Sequence, residues 1–101
     1  MKRRDVRLHN GEGGSALAIR LIKSRGKNQV SKVLDDGTVE VKLAFKGSNH
    51  NEELKNFLSQ VLDIPKERIN VIAGKKKSEK LVSIIDVEPQ EVQKEILKNI
   101  S

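Results

Sequence analysis

The feature that most constrains this chain is a helical stripe framed by strand-like alternation. Leu54, Phe57, Leu58, Val61 and Leu62 fall at i, i+3, i+4, i+7 and i+8. That spacing puts five apolar side chains on one face of an α-helix. Before it, Thr38–Phe45 alternates, with Val39, Val41, Leu43 and Phe45 on one side and Glu40 and Lys42 on the other. After it come two apolar runs, about Arg68–Ala73 and Lys80–Val87, joined by a lysine-bearing turn. A change of period from two to 3.6 and back predicts a strand–helix–strand unit, whose two strands run parallel through a right-handed crossover.

The remaining elements follow from punctuation. Ala16–Lys23 places Leu17, Ile19 and Leu21 on one side and Arg20 on the other, a first strand. Ser24–Asn28 breaks it, and Asp35-Asp36-Gly37 is a turn signal. Glu52 and Glu53 open the central helix, where carboxylates suit the positive end of the dipole, and Asn49 or Asn51 is positioned to cap it. Pro65 is expected to end it. Pro89 suits the first position of a last helix, with Val92, Ile96, Leu97 and Ile100 as its apolar face. Residues 1–15 show no periodicity and contain Asn10-Gly11-Glu12-Gly13-Gly14-Ser15, which reads as a flexible N-terminal tail. The expectation is α+β: a tail over 1–15 and one domain over 16–101. That domain is a two-layer sandwich with a mixed four-stranded sheet in the order β-β-α-β-β-α. Both helices cover one face, and the other keeps Arg20, Glu40 and Lys42 in water.

Composition narrows the chemistry. The chain has 101 residues, no Cys, no Tyr, no Trp and two Phe. Disulfides, thiolate metal sites and a cysteine nucleophile are excluded, and the core must be aliphatic. His9 and His50 are the only histidines, and no second ligand stands at metal spacing from either. Ser48 and Ser78 lack a base and orienter beyond His50, so no hydrolytic triad is legible. The reading is therefore non-enzymatic, with no cofactor and no metal. No apolar run nears the length of about 20 residues that crosses a bilayer. Met1-Lys2-Arg3-Arg4 is not followed by an apolar stretch of signal type, so a cytoplasmic protein is expected, a monomer by default.

The net charge is +6. Lys75, Lys76, Lys77 and Lys80 cluster directly after Gly74. If the strands before and after the central helix run parallel, their C-terminal ends share one sheet edge with the helix start. That edge would gather Asn51, Gly74 and the lysine turn, a set of anion-seeking groups. Two readings compete. The lysines are a solvated hairpin that blunts a strand edge, or they contact phosphate, of RNA above all. Without exposed aromatic residues, base stacking is not expected, and binding would be electrostatic with low sequence specificity. A protein-interaction or accessory subunit is the alternative, using the open sheet face or an edge strand. An enzyme acting on an anionic small molecule through Asn51, His50 and Lys80 is the remote one.

Asn51, Leu54, Phe57-Leu58, Val61-Leu62, Ile64-Pro65-Lys66, Arg68-Ile69, Val71-Ile72, Gly74 and Lys80 together resemble the YggU-like family, small domains without an assigned activity. The resemblance spans roughly Leu17–Val87. It implies that Gly26-Lys27 stands for the glycine and lysine of the family's first loop. It also aligns Asn51 with the asparagine at the helix start, where Ser48 and Asn49 replace the usual glycine and lysine. Gly74 and Lys80 match the last turn, with Lys77 where the family more often has Ser. On this basis the candidate anion or nucleic-acid contacts are Lys27, Asn51, Gly74, Lys75, Lys76, Lys77 and Lys80. The implied fold is a two-layer α/β arrangement, and no activity comes with it.

Overall fold

A computed structural model describes residues 8–11, 14–44, 50–73 and 78–100. Its elements are β1 (Leu8–Gly11), β2 (Gly14–Lys23), β3 (Gln29–Val33), β4 (Val39–Leu43), α1 (His50–Leu62), a 3-10 turn (Lys66–Arg68), β5 (Ile69–Ala73), β6 (Glu79–Ile85) and α2 (Pro89–Lys98). The strands form one mixed sheet in the spatial order β3-β4-β2-β6-β5, with β1 pairing the first half of β2. β2 and β4 are parallel; β3 with β4, β2 with β6, and β5 with β6 are antiparallel. This is the expected α+β class, but the sheet has six strands rather than four.

Both added strands have a physical reason for escaping the pattern. β3 carries a register shift between Val30 and Lys32, so its two buried residues, Val30 and Val33, stand three apart instead of two. A bulge inserts one residue into one strand and erases the period-two signature there. β1 lies within the stretch read as a tail. Gly11 and Gly14 are ladder partners, with only Glu12 and Gly13 between them in sequence. A two-residue spacer rich in glycine is a hairpin signal, so residues 8–11 and 14–15 belong to the sheet.

Alternation sorts the sheet into two faces. Leu17, Ile19 and Leu21 of β2, Val39, Val41 and Leu43 of β4, Ile69 of β5, and Val82 and Ile84 of β6 are buried in one cluster. Leu54, Leu58, Val61 and Leu62 of α1 and Val92 and Ile96 of α2 complete it. Both helices therefore supply one aliphatic core on one side of the sheet. Ser15, buried in β2, donates its hydroxyl to the Val87 carbonyl at 2.6 Å and ties the sheet to the start of α2. Pro89 is in the first turn of α2, as expected.

α1 ends before Pro65, at Leu62, and the next residue, Asp63, has a left-handed φ of 54°. The Ile64 amide bonds back to the Ser59 carbonyl at 3.2 Å, the six-to-one closure that satisfies a terminal carbonyl. The Ser59 hydroxyl donates in turn to the Ile64 carbonyl at 2.6 Å. At the other end the helix begins at His50, so Asn51 is its second residue and not its cap; Asn49 lies outside the described residues.

The helix-free face departs from expectation. Arg20 is exposed and Lys42 half-buried, but Glu40 is buried. Glu40 stands between Arg20 of β2 and Lys32 of β3 in the ladders, and accepts a hydrogen bond from the Ser31 hydroxyl at 3.1 Å. The same face shows Ile72 (46% exposed), Leu81 (39%) and Ile85 (51%), all on β5 and β6. Among the described residues, no helix is long and apolar enough to cross a membrane.

Candidate anion-binding edge of the sheet

Strand directions decide which connections share an edge. β2, β4 and β5 point the same way, while β3 and β6 oppose them. The C-terminal ends of β2, β4 and β5 therefore lie at one edge, together with the start of β6 and the connection to α1. β4 and β5 are not neighbours: β2 and β6 stand between them. Three strand spacings separate their ends by roughly 14 Å.

The described residues at this edge are strongly basic on the β2 side. Lys23 ends β2, and Arg25 and Lys27 follow in the connection to β3, both exposed. That connection is held in place. The Ser24 amide bonds the Leu43 carbonyl at 3.0 Å, and the Asn28 carboxamide accepts from the Ala44 amide at 2.7 Å. Both bonds fasten it to the end of β4. The Gly26 amide bonds the Ser24 hydroxyl at 3.1 Å. Asn51, Glu52 and Glu53 are exposed in the first turn of α1, and His50 is half-buried.

Lys80 occupies a different position from the one its sequence neighbours suggest. It is not part of an exposed turn but the second residue of β6, with only 6% of its surface exposed. Its ladder partners are Ile19 and Ala73, and it is in phase with Val82 and Ile84, on the side of the sheet that carries the helices. Gly74, Lys75, Lys76 and Lys77 lie outside the described residues. The chain leaves β5 at Ala73 and joins β6 at Glu79, and both ends of that connection are at the edge in question.

The opposite edge has the opposite charge. In the described connections there stand Asp35 and Asp36 between β3 and β4, Asp63 and Glu67 before β5, and Asp86 and Glu88 after β6, against Lys66 and Arg68. The fold thus sorts charge along the strand axis, which the linear sequence hides. Lys27 was singled out by the family resemblance alone, without a place at this edge, and Lys23 and Arg25 were passed over. The signal for them was the same break, Ser24–Asn28, that ended the strand.

Among the described residues, no group of three His, Asp or Glu side chains is arranged to hold a metal ion. Compared with models of known protein families, the chain matches none.

Proposed function

We propose that this protein is a non-catalytic binding module that contacts RNA, through phosphate, along the basic sheet edge. The observation that carries this reading is the charge segregation. Lys23, Arg25, Lys27 and Lys80 lie at the edge where α1 begins, against Glu52, Glu53 and Glu79, and the described connections at the other edge are mostly acidic. Oriented charge of this kind steers polyanions to one end of a molecule. In this reading Lys27 and the lysines of 75–77 are outer contacts, and Asn51 lines the helix start. The contacts are to backbone phosphate and carry little sequence information. Kinship with the YggU-like family is part of the proposal, as is a cytoplasmic setting; neither adds an activity.

Filter binding of mixed single-stranded RNA across a salt series tests it. With about four phosphate contacts, affinity falls on the order of 50-fold between 50 and 200 mM salt. Replacing Arg25 and Lys27 together by Ala lowers that slope by about one to two contacts' worth. A response flat in salt, or no retention at about 50 mM, removes the reading.

One observation favours a second reading, a docking surface for another protein. Among the described residues, the exposed large hydrophobic ones, Ile72, Leu81 and Ile85, lie on β5 and β6 of the helix-free face. β5 is also an edge strand without Pro or bulge, whereas the β3 edge carries a bulge and a bridge from Val30 to Ile100. Bulges and covering segments guard edges; among the described residues β5 has neither, which suits strand addition. Partners retained from nuclease-treated lysate, and lost on Ile72→Lys, support this reading; partners that vanish with nuclease favour RNA.

A further inference from the structure

We infer that β5 pairs with β5 of a second copy of this chain, antiparallel and about a two-fold axis at Val71, so that the two sheets run on as one. The inference deepens the docking-surface reading and rests on it; the RNA reading stands or falls separately. Its ground is a difference between the two edge strands. β3 is broken by the register shift between Val30 and Lys32 and covered by the bridge from Val30 to Ile100. β5 is paired by β6 over its whole length without a shift, and among the described residues no strand pairs with its outer side. A regular edge strand is a template for another strand. With one edge strand open and the other guarded, self-pairing closes at two copies instead of growing into a filament.

The side chains along the open strand are apolar on both faces. On the helix side Val71 is half-buried, although its ladder partner Val82 is fully buried. On the helix-free side Ile72 is exposed beside its own ladder partner, Leu81, which is exposed too. A strand of five residues overlaps its own copy completely only when its middle residue, Val71, meets itself. Ile69 then stands opposite the partner's Ala73, and Asn70 opposite the partner's Ile72. The two Ile72 residues become diagonal neighbours about 7–8 Å apart, within reach of each other. Each has its own Leu81 behind it, so the exposed apolar residues of both copies join into one strip across the axis.

Charge selects the antiparallel arrangement. Where β5 ends, the described residues include Lys23, Arg25, Lys27 and Lys80 against Glu52, Glu53 and Glu79. Where β5 begins, they include Asp63, Glu67, Asp86 and Glu88 against Lys66 and Arg68. A two-fold axis normal to the sheet sets the acidic end of each copy alongside the basic end of the other. A parallel strand from a second copy would set like beside like. Such complementarity fixes orientation more than affinity.

Sedimentation equilibrium across a concentration series, with amide hydrogen exchange read residue by residue, tests it. The wild type approaches twice the 11.3 kDa of one chain. As it does so, every second amide of β5, those directed away from β6, becomes protected. Ile72→Lys raises the dimer Kd at least about tenfold, because the two lysines meet across the axis. Ile85→Lys, on the same face but outside the strip, leaves that Kd unchanged. Both positions are exposed, and circular dichroism and Tm show each variant folded. Outward amides of β5 already protected in the monomer overturn the inference, since a segment of the same chain then covers the strand. A dimer lost equally in Ile85→Lys also overturns it, since the copies then stack face to face. So does a monomeric wild type: if it retains partners from nuclease-treated lysate that Ile72→Lys loses, the docking-surface reading survives, and if it retains none, that reading goes too.

Discussion

Leu58→Ala lowers the stability of this protein by about 2–5 kcal/mol, measured as a fall in the urea midpoint at unchanged slope. Leu58 is fully buried in α1, against the sheet residues of the common core. Truncation removes the transfer free energy of the lost carbons and leaves a cavity that neighbouring aliphatic groups fill only in part. A domain of this size has roughly 5–15 kcal/mol in total, so the loss is a large share of it. Thermal melting falls by at least about 10 °C. Leu81→Ala is the matched contrast: the same residue type, on the helix-free face and 39% exposed, costs less than about 1 kcal/mol. Equal losses at the two positions would contradict the layer assignment.

Gly14→Ala is the second large effect, and its sign is the informative part. A Cβ at Gly14 would collide with the backbone carbonyl oxygen of Ile84 in β6. Backbone has no rotamer to adopt, so β2 and β6 must separate at the end of their ladder, where Gly14 pairs with Ile85. Overpacking of this kind costs about 1–3 kcal/mol. The gain of about 0.4–1 kcal/mol from stiffening the unfolded chain does not offset it. Gly26→Ala has nothing within 4 Å of the new methyl group. There the unfolded-state term acts alone, and the change is neutral or stabilising by up to about 1 kcal/mol. Urea midpoints moving in opposite directions confirm the close approach of β2 to β6; a Gly14→Ala protein as stable as wild type refutes it.

The elements with intact periodicity were legible without coordinates. The five-residue stripe from Leu54 to Leu62 became α1, and Pro89 opens α2. The alternating runs became β2, β4, β5 and β6, each within two residues at either end of its expected bounds. What escaped was local pattern broken by local geometry. The bulge at Ser31 put Val30 and Val33 out of phase, and the glycines at 11, 13 and 14 looked like a tether although Gly11 and Gly14 close a hairpin. Of the two cap candidates, Asn51 stands two positions inside the cap position, because a polar residue before an apolar stripe resembles a cap whether it stands outside the helix or inside it.

The candidate site divides the same way. That basic residues cluster in the chain is a property of the sequence, and so is the lack of any acidic residue in 45–49 and 74–77. Their joint meaning is not. Whether Ser24–Asn28 and the end of β5 share an edge depends on the parallel pairing of β2 with β4 and the antiparallel pairing of β2 with β6, contacts between residues some 20 to 70 positions apart. Lys80 shows the difference most sharply. In sequence it closes a run of lysines and reads as solvated. In the fold its phase with Val82 and Ile84 turns it to the side of the sheet that carries the helices, where only 6% of it is exposed. Period and punctuation are short-range and can be read along a chain. Burial and proximity are set by which surfaces the assembled layers cover, and only the tertiary structure decides them.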